Sequence, residues 1–355
     1  MDVTLKITPL HKKHLELHAR MLPFGGFDMP IEYQGITSEH EAVRKRVGMF
    51  DVSHMGEVLI KGVNALSYLE RVCTNEMTSL EIGQVRYSFL CYENGTVVDD
   101  ILVYRFNEDL YCLVINASNI DKDIAWLTSH LIDGVELEDV SDKTAEIALQ
   151  GPTAEQVLQQ FTTTDLSQLK FFRFIWAEVA GCHTLISRTG YTGEDGFELY
   201  SDHDSIVVLW DTLLQAGVTP IGLGARDTLR FEAALPLYGH EISDAITPVE
   251  AGFSRFIDFD KDFIGKKALQ QEKKRKLVGL DIIDRGIARA EYPVYQNDKV
   301  IGFVTTGYKI KQKTYALALI DVNVALGSDV SVEVRGKHLK AITRNKKFMD
   351  KAYKK

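Results

Sequence analysis

Two strand-like runs, 87–92 and 97–106, flank the dipeptide Asn94-Gly95. Asn-Gly accepts the left-handed backbone of a tight turn, so this is the strongest short-range hairpin signal a sequence carries. It commits that part of the chain to an antiparallel sheet. A two-residue loop sets Glu93 opposite Thr96 and therefore Asp100 opposite Phe89. Side chains alternate along a strand. Asp100 thus shares a face with Tyr87, Phe89, Cys91, Leu102 and Tyr104, while Asp99 points the other way with Ser88, Leu90 and Tyr92. A carboxylate on an aromatic face has a raised pKa unless donors satisfy it. Asp100 is therefore a candidate general acid/base or amine anchor; the plainer reading is a surface acid on an open sheet. A one-residue slip in the loop would exchange the two faces.

With 355 residues, of which 45% are hydrophobic, the chain exceeds one ordinary core and predicts two or three domains. Ser38 and Glu41 read as a capping box for a helix ending near Gly48. Residues 50–60 alternate toward a strand, and 110–115 form another. Ser118 and Asp121 read as a second box, opening a helix through Leu131. A short helix follows Gly151-Pro152, and 205–216 form a buried helix capped by Asp204. A boundary falls near 270–276, where QQEKKRK raises the charge. Beyond it the strand-like segments 277–283, 300–307, 316–322 and 330–334 predict a small β domain. The expected division is 1–270 and 277–355.

Charge is unevenly spread. Residues 261–355 carry a net +12 and the remainder −21, giving the overall −9. The basic end lacks the arginine-rich or aromatic-interleaved pattern of a nucleic-acid binder, and steering of an acidic protein partner is the alternative to a merely solvated face. Cys73, Cys91, Cys112 and Cys182 are widely spaced and form no C-x-x-C, which points to a reducing compartment rather than a disulfide framework. No signal core or membrane-length apolar run is present. A cytoplasmic protein without membrane or nucleic-acid contacts is expected.

The stretch SRTGYTGEDGFELY, 187–200, places Gly190, Gly193 and Gly196 three residues apart before a strand. The dinucleotide fingerprint has its glycines after a strand and before a helix. A loop offering carboxylates and a tyrosine suits a ligand rich in N–H donors, not a phosphate. Its competing reading is a turn-rich hairpin with solvated acids. In GLGARDTLRFE, 222–232, Arg226 and Arg230 are four apart on one helical face, so an anionic neighbour or ligand is expected. His54 reads as a satisfied structural histidine. His11, His14 and His18 lie close together, but nothing completes a metal site with them.

Taken in order, FGGFDMPIEY (24–33), FDVSHMGEV (50–58), NGTVVDDILVYR (94–105), ALQGP (148–152), SRTGYTGEDGFELY, GLGARDTLRFEAALPLYGHEI (222–242), TPVEAGF (247–253) and DFIGKKAL (262–269) resemble the T-protein, or aminomethyltransferase, family of the glycine cleavage system. The resemblance spans nearly the first 270 residues. It implies an α+β fold of three domains in a cloverleaf: antiparallel sheets, a ferredoxin-like unit, a small C-terminal β-barrel and a central folate channel. The implied reaction moves a one-carbon unit from the aminomethyl-dihydrolipoyl arm of a lipoylated carrier, the H-protein, to tetrahydrofolate. Ammonia, 5,10-methylenetetrahydrofolate and the dihydrolipoyl carrier are the products. Tetrahydrofolate would be a co-substrate, with no metal and no flavin. Asp100, the second acid of the DD pair, would be catalytic. Tyr191 and Glu198 would contact the pterin, Arg226 would hold an anionic part of the folate, and Met55, Tyr87, Tyr104 and Asn116 would complete the pocket.

The last third departs from the family pattern. GFVTTGYKIKQKTYALALI (302–320) lacks the usual Ser-Pro segment, and KKFMDKAYKK (346–355) replaces the closing PF-aromatic signature. Two other readings belong to related folate proteins: a demethylating enzyme that acts with a flavin partner, and a non-transferase folate-binding protein. The latter carries a KGCYxGQE-like motif where this chain has RTGYTGEDGFE.

Overall fold

Three sheet-built bodies organise the chain, whose computed structural model describes residues 4–354. The first is a five-stranded antiparallel sheet ordered Val85–Cys91, Val97–Arg105, Leu110–Ile115, Gly56–Lys61 and Glu136–Asp139. Helices Ala65–Val72 and Ile120–Ser129 pack on one face through Tyr68, Leu69, Val72 and Leu127. This is the expected ferredoxin-like unit with one added strand. The second body is a six-stranded sheet in which Gly196–Ser201 lies between Cys182–Ser187 and Ala145–Gln150. Helix His203–Gln215 buries Trp210, Ile206 and Leu213 against it. One pairing here is parallel, Thr219–Pro220 with Gly48–Asp51, so the expectation of antiparallel sheets holds except at this edge. The third body is a closed barrel of six strands between Arg275 and Arg344.

The hairpin register is as expected at the residue that matters, by a different route. Phe89 pairs with Asp100 and Leu90 with Asp99, but Cys91 pairs with Val97. The loop closes through Tyr92, whose N–H donates to the Thr96 carbonyl, so it is one residue longer than a two-residue turn, with Gly95 at φ +81°. The bulge at Val98 restores the lost residue. Two irregularities cancel, and Asp100 returns to the aromatic face.

Several predicted ends are corrected. The first predicted helix begins at Ile36, not after Ser38, and is preceded by a short helix His11–Glu16; Glu39 turns back to accept from the N–H groups of Tyr33 and Gln34 and also holds Gly222 N. Residues 50–60 are not one strand: Gly48–Asp51 belongs to the second sheet and Gly56–Lys61 to the first. That crossover carries His54 and Met55 between two bodies. Helix Ile120–Ser129 has no capping box; Asn119 stands at its cap and spends its side chain on Asp99. Asp202, not Asp204, caps His203–Gln215.

Candidate active site

A cavity of about 680 Å³ lies where the bodies meet, within the size range of small-molecule sites. Met55, Tyr87, Asp100, Asn116, Tyr191, Glu198 and Arg226 all line it. Of the eight residues expected at the site, only Tyr104 is not in the lining; it is buried behind the wall, its hydroxyl bonded to Ser187 and Tyr200.

Asp100 sits on one wall. The Tyr87 hydroxyl donates to its Oδ2 at 2.9 Å and Asn116 Nδ2 to its Oδ1 at 2.9 Å. Asn116 follows directly on strand Leu110–Ile115, so the sheet aims it at the aspartate pair. Asp99, fully buried on the opposite face, accepts from Asn116 N, Asn116 Nδ2 and Asn119 Nδ2. Burial, reinforced by Asp99, pushes Asp100 up to about 7, although Tyr87 and Asn116 favour its charged form. A carboxyl in that range both accepts and returns a proton near neutral pH.

The far wall belongs to the second sheet. Glu198 is 6% exposed, and Thr189 Oγ1 donates to its Oε2. Burial raises its pKa, while Thr189 and Arg226 oppose that shift. The Arg226 guanidinium lies 4.7 Å from the Tyr191 ring centre, and one of its terminal nitrogens has no partner. The acids of the glycine loop itself are consumed structurally. Glu194 pairs with Arg44 at 3.1 Å and Asp195 with Arg188 at 2.5 Å. Of the acids in that stretch only Glu198 lines the cavity, beside Thr189, Gly190, Tyr191 and Tyr200, so the carboxylate it offers comes from a strand rather than a loop. Gly196 is required because a Cβ there would stand 2.4 Å from the Leu149 carbonyl oxygen.

Arg230 takes the structural reading: fully buried, it pairs with Asp227 at 2.6 Å and Glu241 at 2.5 Å. His54 is corrected. It lines the cavity with Nδ1 unpartnered, and burial lowers its pKa to about 4. His14 and His11 are held by Asp51 at 2.8 Å and Asp28 at 2.9 Å.

Sequence reasoning missed Glu146 and the C-terminal strap. Glu146 lines the cavity at 2% exposure, one oxygen without a partner. Its strand pairs Glu146 with Tyr200 and Ala148 with Glu198, so once the Gly196–Ser201 strand is known, alternation puts Glu146 on Glu198's face. Residues 350–354 leave the barrel and cross to the second body. Ala352 N donates to Gly193 O at 2.8 Å, Tyr353 stacks on Phe171 at 4.3 Å, and Lys354 pairs with Glu155 at 2.7 Å. Tyr353 and Lys351 thereby line the cavity. No helix among the described residues is long and apolar enough to cross a membrane.

A buried hollow walled by two sheets, with a tunable carboxyl on one side and a carboxyl–guanidinium pair on the other, is the architecture of a multi-lobed enzyme with a small-molecule site. Residues 10–261 match the GCVT N-terminal domain and residues 275–350 the glycine cleavage T-protein C-terminal barrel domain. The chain belongs to the glycine cleavage T-protein family. It is 50% identical to an aminomethyltransferase of Caldanaerobacter subterraneus, over 99% of this chain and 98% of the relative. Identity is 52% with one of Alkaliphilus metalliredigens, over 99% of each. The crystal structure of the glycine cleavage system aminomethyltransferase T from Bartonella henselae superposes with a TM-score of 0.93 at 32% identity, covering 99% of this chain and all of that one. The activity is that of a glycine cleavage aminomethyltransferase, a one-carbon transferase dependent on tetrahydrofolate.

Proposed function

We propose that tetrahydrofolate lies in the central cavity with its pterin edge against Glu198 and Arg226 and its reacting nitrogens beside Asp100. One observation carries this reading: two carboxyls from different sheets, residues 100 and 198, border a single hollow. A carboxylate accepts from adjacent N–H donors, which a pterin edge supplies, and Tyr191 and Met55 offer ring and thioether surface to its faces. Arg226, with a free guanidinium nitrogen, suits a carbonyl or carboxylate of the same ligand. Tetrahydrofolate contributes the nucleophilic nitrogen that takes up the carbon.

Two tetrahydrofolate nitrogens would bond to the carbon as its bonds to the amine nitrogen and the lipoyl sulfur break. Asp100 would take a proton released at a reacting nitrogen and return it to the departing amine, the second proton leaving on the dihydrolipoyl thiol. Tyr87 and Asn116 fix the carboxyl on both oxygens, so its direction is set before substrate arrives. Orientation of this kind is worth up to ~7–11 kcal/mol and proton transfer a further ~10²–10⁴-fold. The donor would be the aminomethylated lipoyl arm of the H-protein, entering at the rim where Arg255 and Lys351 are exposed. Lys273 and Lys274 are also exposed to an acidic carrier, whereas Arg275 is spent on Glu250 at 2.7 Å. The four free, buried cysteines support a cytoplasmic setting.

Equilibrium titration of Glu198→Gln with tetrahydrofolate tests the pose. Losing a charged acceptor predicts a Kd roughly 10–100-fold higher than wild type; an unchanged Kd, in a folded variant, would move the ligand elsewhere.

A further inference from the structure

Glu146 and Glu198 stand at the two ends of a buried run of hydroxyls. Thr189 Oγ1 donates to Glu198 Oε2, and Ser187 Oγ and Thr189 Oγ1 are 2.8 Å apart. Tyr104 Oη reaches Ser187 Oγ at 3.1 Å and Tyr200 Oη at 3.0 Å. Tyr200 pairs with Glu146 across the adjoining strands, so the two side chains are neighbours on one face. Every group in the run is at most 6% exposed.

Each hydroxyl has one proton to donate, so the run can point one way or the other, and the carboxyl at its starting end must carry a proton. Glu198 is the end that holds a hydroxyl partner, whereas Glu146 Oε2 has none, so Glu198 is the better-supported anion. With Glu198 ionised, Thr189 gives it its proton and must accept from Ser187. Ser187 must then accept from Tyr104, and Tyr104 from Tyr200. Tyr200 is left with only acceptor capacity toward Glu146. An ionised Glu146 would meet lone pairs; a protonated one completes the run. Charge counting agrees. Glu57 on strand Gly56–Lys61, Glu198 on Gly196–Ser201, and Cys112 on Leu110–Ile115 all face Glu146, and Arg226 on helix Leu223–Glu232 is the single cation among its charged neighbours. One positive charge balances one of these three carboxyls, and leaving a further charge uncompensated here is costly.

We infer that Glu146 is a positioning residue of the folate site, holding the proton of a two-carboxyl pair so that Glu198 alone presents negative charge to the ligand. Burial and Glu198 both drive the Glu146 carboxyl toward its neutral form. As an un-ionised acid whose Oε2 has no partner in the cavity, it also offers a polar contact distinct from that of Glu198. The inference rests on the folate pose above, and its test separates the two.

Glu146→Gln keeps a neutral group with a donor; Glu146→Leu removes it. With tetrahydrofolate as the probe, the leucine variant should raise Kd about 10-fold or more, the scale of one buried hydrogen bond near a charge, while the glutamine variant stays within about 3-fold of wild type. Leucine binding like wild type, or glutamine binding as weakly as leucine, overturns the inference. A ligand-free measurement decides the case if Glu146→Leu does not fold. The infrared spectrum of the wild type at neutral pH should contain an un-ionised carboxylic acid carbonyl band that Glu146→Gln lacks. Identical spectra would show that Glu146 is ionised and overturn the inference even if the folate pose is right. Failure of the wild type to bind tetrahydrofolate would overturn the pose and leave the infrared result standing.

Discussion

Asp100 shows how an ordinary side chain acquires a chemical role from its surroundings. Nothing in the letter D distinguishes it from Asp99. The pleat decides: Asp99 is drowned in amide donors, while Asp100 has two donors and an open side toward the cavity. With its pKa near 7, the ionised fraction of Asp100, which is the form able to accept a proton, falls as pH drops below that value. Turnover at saturating substrates should therefore decline about tenfold per pH unit on the acid side of about 7. A flat profile down to the ordinary carboxylate range would show that the residue does not take up the proton. This placement was legible before the fold was known because the extra loop residue and the bulge at Val98 cancel, leaving Asp100 opposite Phe89 as a two-residue turn would. Tyr104, assigned to the same face, was read correctly as to face and wrongly as to exposure. The second sheet covers it, which no local pattern reveals.

At the scale of elements, two predicted helix caps failed because polar side chains are recruited by distant partners. The capping box read at Ser38 and Glu41 gives way to Glu39, which holds Gly222, and the one read at Ser118 gives way to Asn119, which serves Asp99. Strand Pro293–Gln296 escaped notice because it is four residues long and starts with proline, and Lys337–Arg344 because its outward face is lysine- and histidine-rich. Helix Ile120–Ser129 makes a further point. Its Asp123 is fully buried against Asp99, with burial first and Asp99 second raising its pKa to about 10. The native state thus keeps a proton that the unfolded chain releases above the ordinary aspartate range, so folding loses stability as pH rises from about 4 toward 10. Asp123→Asn supplies a permanent donor without that penalty. Its free energy of unfolding should exceed that of the wild type at mildly alkaline pH, by on the order of 2 kcal/mol, and the advantage should shrink in mild acid. A variant no more stable in alkali than the wild type would contradict the assignment.

Across the whole molecule, the cavity exists only because segments far apart in sequence close around it. The crossover at His54 and Met55, the glycine stretch, helix Leu223–Glu232 and the strap at 350–354 each supply one side. The strap was the least legible part, since its family signature is blurred and it has no regular structure. It is tied by the Tyr353–Phe171 stack and the Lys354–Glu155 pair, not by a core: Phe348, just before it, packs on Phe231 and Tyr315. A chain ending after Met349 should keep the barrel and a near-native Tm. Its Kd for tetrahydrofolate should rise about 3–10-fold, the loss of one aromatic wall. Unaltered affinity would remove the strap from the site.

The central claim is that Asp100 serves the chemistry while the opposite wall holds the folate, and a single paired assay of Asp100→Asn tests it. Tetrahydrofolate affinity is measured by equilibrium titration, and ammonia release from aminomethylated H-protein by turnover. The account predicts a Kd within about 3-fold of wild type with turnover reduced ~10²–10⁴-fold. Wild-type turnover in this variant, or a loss confined to folate affinity, would contradict it.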